Sequence, residues 1–290
     1  MDLTFAQNSE YGRLKSVLLH IPTKTDFILD AEEAMFTELP NFVALHDEVE
    51  EYIYNLNNLG IAVYSDRDFP DRHHNRKPNQ IFMRDLGAVV GNVLILAKPR
   101  FPVRQGEEKY LQSLLQWLNP PSSAPVIVAT LDSECFFEGA DLLVLGDTVV
   151  INVGFRTNER AAVQIGSLLK DKYKIKIVQH NRALTIPQHI LGATHVIGPD
   201  TLIQRVELHS DDLGFKNVVE LYETKEVVNR YSMNVVTIAE NEIIMPGDCP
   251  TTRLEFENAG IKCHTSPMNE IRKMSGGFAC MTLPLERENV

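Results

Sequence analysis

The sequence predicts an α/β fold in which a hairpin, a helix and a short strand repeat around a ring. Two observations lead to this prediction: apolar runs recur in pairs joined by short turns, and amphipathic stretches lie between the pairs. The repeating unit spans about 40 to 55 residues, a period typical of repeat architectures. Four such units, plus one shared between the two chain ends, predict a five-bladed, pseudo-symmetric α/β propeller with its site in a central channel. A doubly wound sheet is the alternative, because periodicity does not determine topology.

The paired apolar runs have the pattern of β-hairpins. In the two clearest pairs the runs are separated by Gly91-Asn92 and by Gly146-Asp147. Turns of two or three residues that contain Gly, Asn or Asp are typical of hairpins. We therefore predict hairpins over four ranges: 87–96, 142–151, 195–203 and 235–244.

The amphipathic stretches have the pattern of helices. Between Asn41 and Asn58 the apolar residues recur at steps of three and four, which places them on one helical face. Similar stretches begin near Gln105, Thr157 and Thr251, and we expect a helix at each. Short strand-like runs follow these four stretches, over 61–64, 126–128, 175–178 and 261–263.

Length, composition and charge exclude several classes of protein. The chain has 290 residues, 44% of them hydrophobic, and 28 basic against 39 acidic side chains give a net charge of −11. This acidic balance argues against a nucleic-acid partner, which would favour a basic surface. The basic segment 72–77 is short, and we interpret it as a solvated loop. No apolar run approaches the length of a membrane span, so we expect no membrane partner.

The cysteines and the N-terminal residues favour a cytoplasmic protein. The four cysteines have no CxxC spacing, so a zinc site and a disulfide framework are both poor interpretations. The first eight residues lack the basic start and apolar core of a secretory signal. No linker divides the chain, and the sequence leaves a homo-oligomer open.

Four polar segments adjoin the predicted strands and contain side chains that can take part in catalysis. They supply two carboxylates, a histidine and a cysteine: Asp85, Glu138, His189 and Cys280. Each lies at an equivalent edge of a repeat, and in a radial fold such edges converge on one axis. Carboxylates can hold a guanidinium through charge-assisted hydrogen bonds, a thiolate can attack its planar carbon, and histidine can move protons. The set therefore indicates nucleophilic catalysis at a cationic carbon.

The same segments resemble those of the guanidino-group-modifying superfamily, which contains arginine deiminases, dimethylarginine dimethylaminohydrolases and amidinotransferases. The resemblance runs nearly end to end, from Glu10-Tyr11-Gly12-Arg13 onward. Its distinctive motifs are Phe82-Met83-Arg84-Asp85, Glu138-Gly139-Ala140-Asp141 and Gly276-Gly277-Phe278-Ala279-Cys280-Met281-Thr282. The resemblance implies a pentein-like, five-bladed α/β propeller that forms one catalytic domain over residues 1–290.

The resemblance also implies a role for each residue. Cys280 is expected to be the nucleophile and His189 the general acid and base. Asp85 is expected to bind the guanidinium, and Glu138 to orient the histidine and hold the same group. Asp141, in the motif of Glu138, is expected among the substrate-binding residues. No metal or organic cofactor is implied, because the cationic substrate is itself the electrophile.

Two arginines resemble the dimethylaminohydrolase branch in particular. Arg156 lies in a segment that matches the one contacting the substrate α-carboxylate, and Arg104 lies in the other such segment. The expected partner is therefore a small guanidino amino acid such as arginine, rather than agmatine. Leu191 departs from the deiminases and amidinotransferases, which carry an aspartate two residues after the histidine. This change leaves room for a substituted guanidinium.

The expected function is a hydrolase that converts arginine or an N-substituted arginine to citrulline plus ammonia or an alkylamine. An amidinotransferase or an ammonia-forming arginine dihydrolase would use the same site. An arginine-sensing or ribosome-associated propeller protein is the non-enzymatic alternative. Purely structural roles are also open for single residues, and His180 and His195 compete with His189. We interpret the other three cysteines as structural: Cys135, Cys249 and Cys263.

Overall fold

The structure, a computed structural model, describes residues 3–27, 29–72, 77–119, 127–179, 189–206 and 213–290. Most of the basic segment 72–77, as well as His180, lies outside the described residues. Among the described helices, none is long and apolar enough to cross a membrane.

The described strands form five sheets of three strands each. In chain order the strands are β1 Leu14–Leu19, β2 Ala62–Ser65, β3 Gly87–Val90, β4 Val93–Leu96, β5 Ile127–Ala129, β6 Leu142–Leu145, β7 Thr148–Asn152, β8 Lys174–Val178, β9 Thr194–Val196, β10 Thr201–Arg205, β11 Asn217–Leu221, β12 Val236–Ala239, β13 Glu242–Pro246, β14 Lys262–Ser266 and β15 Leu283–Arg287. Every sheet has the same plan: an antiparallel pair, with a third strand parallel to the middle one. This repeated plan, together with the structural comparisons given below, confirms the predicted α/β propeller.

The two chain ends close the ring. β15 pairs with β1, which in turn pairs with β2, so the first blade contains both the start and the end of the chain. The other four blades each use the hairpin that the turn residues predict, and Gly91 and Gly146 take the left-handed conformation at φ 57° and 63°. Glycine adopts that conformation without a Cβ clash, which explains its use in these tight turns.

Helices connect the strands of the blades. They are α1 Phe42–Asn58, α2 Glu107–Leu118, α3 Glu159–Leu169, α4 Lys225–Asn229, α5 Pro250–Asn258 and α6 Phe278–Met281. The four predicted amphipathic helices are α1, α2, α3 and α5. Asn41 and Asn158 cap α1 and α3. The side-chain oxygen of Asn41 accepts from two backbone N–H groups of the first turn, and that of Asn158 accepts from one.

The first strand of each hairpin is almost wholly buried, and β3 and β6 are also wholly apolar. All four residues of β3 are buried, and so are all three of β9. Strands that are covered on both faces carry continuous apolar runs rather than alternating ones. The polar residues that precede these strands are therefore held at the centre of the molecule, beside a well-packed core.

Candidate active site

Each blade contributes one polar residue just before its first strand. Four of them were expected from the sequence, and the blade that begins with β12 supplies the fifth: Asp85, Glu138, His189, Asn234 and Cys280. All but Glu138 line one cavity of about 370 Å³, here called the main cavity. The pseudo-symmetry therefore brings together residues that lie far apart in the sequence.

Glu138 and His189 form a hydrogen-bonded pair at the wall of the main cavity. Nε2 of His189 lies 2.8 Å from Oε2 of Glu138, and Nδ1 lies 3.6 Å from Oδ1 of Asp85. Burial alone would lower the pKa of His189, but the charge of Asp85 and the hydrogen bond to Glu138 outweigh it and raise that pKa. The imidazole is thereby kept ready to donate a proton.

The carboxylate of Glu138 is fully buried yet stays ionised. Burial would raise its pKa, but the charge of Arg104 and the hydrogen bond to His189 lower it to about 2. Its backbone position depends on the next residue, Gly139. A Cβ there would lie 2.0 Å from the carbonyl oxygen of Gly87, so only glycine allows this close approach.

Asp141 lies behind the site rather than in the lining of the main cavity. Its Oδ1 accepts from Asn152 at 2.8 Å and from the backbone N–H of Ile190 at 3.1 Å, and its Oδ2 accepts from Thr157 at 2.7 Å. Burial raises its pKa. These contacts hold the residues that immediately follow His189 and Arg156.

Arg104 lies among three buried carboxylates. Its Nη1 donates to Oδ2 of Asp85 at 2.7 Å and to Oε2 of Glu138 at 3.2 Å. Its Nε and Nη2 donate to Oε2 of Glu107 at 3.0 and 2.9 Å. Burial raises the pKa of Glu107 to about 7, although Arg104 opposes the shift. Arg104 is thus the counter-ion of this cluster, and Glu107 is a member that the sequence analysis missed.

Arg156 also borders the main cavity. Its Nη1 donates to both oxygens of Glu138, at 3.2 and 3.1 Å, and its guanidinium lies 4.7 Å over the ring of Phe101. Stacking on an aromatic face fixes the plane of the guanidinium. Nε of Arg156 is buried and has no hydrogen-bond partner among the described residues.

Cys280 lies on the last helix, α6, and Asn234 holds it. Nδ2 of Asn234 donates to Sγ of Cys280 at 3.2 Å, and Oδ1 accepts from the backbone N–H of Ala279 at 2.7 Å. A Cβ at Gly277 would lie 2.8 Å from the Asn234 side chain, so this glycine makes room for it. Burial and the charge of Asp85 raise the pKa of Cys280 to about 11, and the hydrogen bond from Asn234 opposes the shift.

The rest of the main cavity is partly apolar. Leu191 lies in the lining two residues after His189, at the position noted above, and Met35 comes from the segment after β1. Arg205 lines the cavity as well, and its Nη2 donates to Oε1 of Glu223 at 2.8 Å. Arg205 and Asn234 were not predicted from the sequence. The signal for Asn234 was its position before the weak fourth hairpin, which matches that of the other four residues.

The site also contains a set of groups that could hold a metal ion. The ligand atoms of Asp85, Glu138 and His189 lie within 4.8 Å of one another. The same atoms take part in hydrogen bonds with one another and with Arg104. A metal ion would therefore have to compete with the guanidinium of Arg104.

His195 is placed elsewhere in the structure. It lies on β9, buried beside Arg84, and burial with the charge of Arg84 lowers its pKa to about 4. It does not line the main cavity. Of the two described histidines considered for the site, only His189 contacts the carboxylates.

Comparison with known proteins agrees with this architecture. Protein YkgA of Bacillus subtilis is 24% identical over 96% of this chain and 94% of its own length. Dimethylarginine dimethylaminohydrolase from Pseudomonas aeruginosa, solved with citrulline, superimposes with a TM-score of 0.72 at 19% identity, over 93% of this chain and 99% of that one. SxtG, an amidinotransferase from Microseira wollei, has a TM-score of 0.75 at 17% identity, over 99% and 98% of the two chains. At these identities the structures establish the fold.

The family model described as arginine deiminase matches residues 72–189 and 203–287. The matched ranges include every residue of the carboxylate cluster as well as His189, Asn234 and Cys280. They cover well over half of the chain, so this protein belongs to the arginine deiminase family within the guanidino-group-modifying superfamily.

Proposed function

We propose that the protein is a hydrolase of arginine or an N-substituted arginine that uses Cys280 as its nucleophile. The observation that carries the proposal is the hydrogen-bonded pair of His189 and Glu138, which borders the same cavity as Asp85 and Cys280. Acid, carboxylates and thiol are the groups that substitution at a guanidinium carbon requires. We further propose that the ring acts as one catalytic domain.

The substrate guanidinium is positively charged and is attracted by the carboxylates of the site. Asp85 and Glu138 present oxygen atoms to a guanidinium, and Arg104 already occupies part of this hydrogen-bonding capacity. A substrate guanidinium binds beside these carboxylates at Oδ1 of Asp85. This oxygen has no hydrogen-bond partner among the described residues and lies 3.6 Å from Nδ1 of His189. Charge-assisted hydrogen bonds of this kind fix both the position and the plane of the group.

The thiol of Cys280 is activated by the substrate itself. With a pKa of about 11 it is protonated at neutral pH, and the negative charge of Asp85 contributes to that shift. A bound guanidinium compensates the charge of Asp85 and favours the thiolate. The thiol proton passes to solvent, the thiolate attacks the guanidinium carbon, and a C–S bond forms.

His189 then moves the protons. It donates a proton to the departing nitrogen as the C–N bond breaks, which leaves a covalent thiouronium on Cys280. The neutral imidazole next takes a proton from water, whose oxygen attacks the same carbon. The C–S bond breaks, the thiolate is released, and the product carries a ureido group, as in citrulline. Glu138 orients the imidazole and stabilises its protonated form.

Arg156 and Asp141 have separate tasks in this proposal. Arg156 binds the α-carboxylate of the substrate, because its Nε is buried without a partner among the described residues while Nη1 holds Glu138. Arg104 is expected to contribute less to the α-carboxylate, since Nε, Nη1 and Nη2 all donate to carboxylates of the protein. Asp141 acts by positioning the chain next to His189 and Arg156.

Leu191 favours a substituted guanidinium as the substrate. An aspartate at this position would place a further charge beside the guanidinium, whereas leucine supplies an apolar surface that an N-methyl group can contact. The relative solved with citrulline carries the name dimethylarginine dimethylaminohydrolase. We therefore place methylated arginines ahead of arginine among the candidate substrates.

The test is incubation with arginine, its methylated forms and agmatine separately, with mass spectrometry of the ureido product and the released amine. The expected result is citrulline from one or more amino-acid substrates, with Cys280→Ser inactive and Cys263→Ser active as the matched control. A product that needs an added acceptor amine would instead identify an amidinotransferase, and two ammonia per substrate a dihydrolase. Binding without any product would identify an arginine-sensing protein.

The location of the protein is part of the same proposal. All four cysteines carry free thiols in the structure. A nucleophilic thiol requires a reducing compartment to stay active, so we propose that the protein works in the cytoplasm.

A further inference from the structure

A second, smaller cavity lies beside the main one and shares two lining residues with it. It has a volume of about 30 Å³, and residues of β9, β12 and β15 contribute to its wall. Leu191 and Ala279 line both cavities and therefore separate them. Its charged residues are Glu10, Arg84 and Arg287, and His195 lies beside them.

The charges of this second cavity do not balance. Arg84 and Arg287 are 2% and 4% exposed, and each carries a positive charge, whereas Glu10 is the one carboxylate in the lining. Burial and the charge of Arg84 lower the pKa of Arg287 to about 10, so its guanidinium is still charged at neutral pH. His195, with its pKa of about 4, is neutral there and adds no charge. Among the described residues that line this cavity, one positive charge is left uncompensated.

Both arginines also have a donor left over. Arg84 donates through Nη2 to the carbonyl oxygen of Leu142 at 3.0 Å, and this atom lies 3.6 Å from Oε1 of Glu10. Arg287 donates through Nη1 to two backbone carbonyls, of Gly12 and Thr237, both at 2.9 Å. Nη1 of Arg84 and Nε of Arg287 are buried and have no hydrogen-bond partner among the described residues.

The carboxylate of Glu10 is already engaged elsewhere. Its Oε1 accepts from the backbone N–H of Val144 at 3.0 Å and from Nε2 of Gln7 at 3.1 Å. Oε1 is thereby directed toward Gln7 and Val144, and the single negative charge of Glu10 can compensate only one of the two guanidinium groups. Water could satisfy the free N–H groups, but it would leave the excess charge without compensation, and an uncompensated buried charge is costly.

We propose that the second cavity binds one monatomic, monovalent anion such as chloride between Arg84 and Arg287. A cavity needs roughly 10–15 Å³ to hold a water molecule, so its volume suits a single halide and excludes a sulfate or phosphate. The anion compensates the buried charge behind the strand that follows Cys280. It binds apart from the proposed substrate, because Leu191 and Ala279 lie between the two cavities.

Bromide provides a direct probe of the site. Crystals of the protein soaked in sodium bromide are expected to show an anomalous peak within hydrogen-bond distance of both arginines. In solution, the midpoint of thermal unfolding is expected to be roughly 2–4 °C higher in sodium chloride than in sodium gluconate at equal ionic strength. This shift applies at a chloride concentration about ten times the Kd. Gluconate is too large for the cavity and controls for screening.

Two variants with opposite charge changes complete the test. Arg287→Gln is expected to abolish the peak and the halide-dependent shift. Glu10→Gln keeps the side-chain size while it removes the compensating charge, so the halide affinity is expected to rise at least threefold. If Arg287→Gln fails to fold, the halide affinity of Glu10→Gln still tests the proposal. No peak, equal midpoints in the two salts, or a peak indifferent to Glu10→Gln, which indicates an adventitious ion only, would overturn the proposal.

Discussion

Nη1 of Arg104 donates to Oδ2 of Asp85 at 2.7 Å, deep inside the carboxylate cluster. The protein's own guanidinium thus makes the kind of contact that a guanidino substrate requires. Glu107 holds the other side of the Arg104 guanidinium, so this side chain is fixed in place from two directions. The relationship explains how carboxylates that would repel one another can lie together without solvent.

Arg104→Met tests the role of Arg104 as counter-ion. Because the change leaves Asp85, Glu107 and Glu138 without their shared partner, the free energy of unfolding is expected to fall by about 3–5 kcal/mol. Urea unfolding measures it, with Arg100→Met on the exposed neighbouring arginine as the control. Adding Glu107→Gln to Arg104→Met is expected to restore part of the loss. A loss below about 1 kcal/mol, the range of an exposed ion pair, would contradict this role.

Arg156→Met tests the proposed contact with the substrate α-carboxylate. The KM for the amino-acid substrate is expected to rise roughly tenfold to hundredfold, because a hydrogen bond to a charged group is lost. The KM for agmatine, which has no carboxylate, is expected to change much less. Arg160→Met, on the exposed face of α3, is the matched control. An equal rise for both substrates would refute the role.

Asn234→Ala tests the positioning of Cys280, the proposed nucleophile. The variant lacks the donor to Sγ of Cys280, so the pKa of that thiol is expected to rise further and its alkylation by iodoacetamide to slow about tenfold at a given pH. Peptide mapping follows Cys280 separately from Cys135, Cys249 and Cys263. In the unmodified protein the rate is expected to increase with pH up to about 11. An unchanged pH dependence in Asn234→Ala would remove this residue from the site.

Glu138→Gln tests the protonation of His189. The glutamate stabilises the imidazolium, so its replacement by a neutral amide is expected to lower the pKa of His189. In the proposed mechanism the protonated form of His189 donates to the leaving nitrogen, so the alkaline limb of kcat/KM is expected to move to lower pH. The rate is also expected to fall by about 10²- to 10⁴-fold. Glu134→Gln, at an exposed glutamate, is the control. If the alkaline limb of kcat/KM stays at the same pH in Glu138→Gln, that limb belongs to a group other than His189.

His20→Gln tests a buried ion cluster away from the main cavity. Nδ1 of His20 lies 2.6 Å from Asp66 and Nε2 lies 3.2 Å from Asp26. Burial would lower the pKa of His20, but these carboxylates outweigh it and raise that pKa to about 9. The folded pKa exceeds the unfolded one, so the stabilisation is complete below about pH 6.5 and is lost as the pH rises through 9.

The measurement for His20 is urea unfolding at pH 6 and pH 9.5. Over that interval this group is expected to reduce the stability of the unmodified protein by about 3 kcal/mol. The His20→Gln variant is expected to be less stable at pH 6 and to lack this part of the pH dependence. Parallel pH curves for the two proteins would show that His20 is not protonated in the fold.

The regular repeat was predictable because its signals are local. Turn residues such as Gly91-Asn92 and the apolar spacing within α1 depend on a few neighbouring residues only. They can therefore be recognised in the sequence without knowledge of the fold. The weak fourth hairpin was also found, but Asn234 before it was not. An asparagine near a turn has many ordinary local roles, so its residue type alone did not distinguish it.

The sequence by itself determined the five-unit repeat and the residue types of the candidate site, through periodicity and recognisable motifs. Only the tertiary structure decided the partners of each charge. It joined Arg104 to Asp85, Glu107 and Glu138, placed Asp141 behind the main cavity, and brought Asn234 to Cys280 across 46 residues of chain. Ion pairing and burial depend on distances between distant segments, and those distances exist only once the ring has closed.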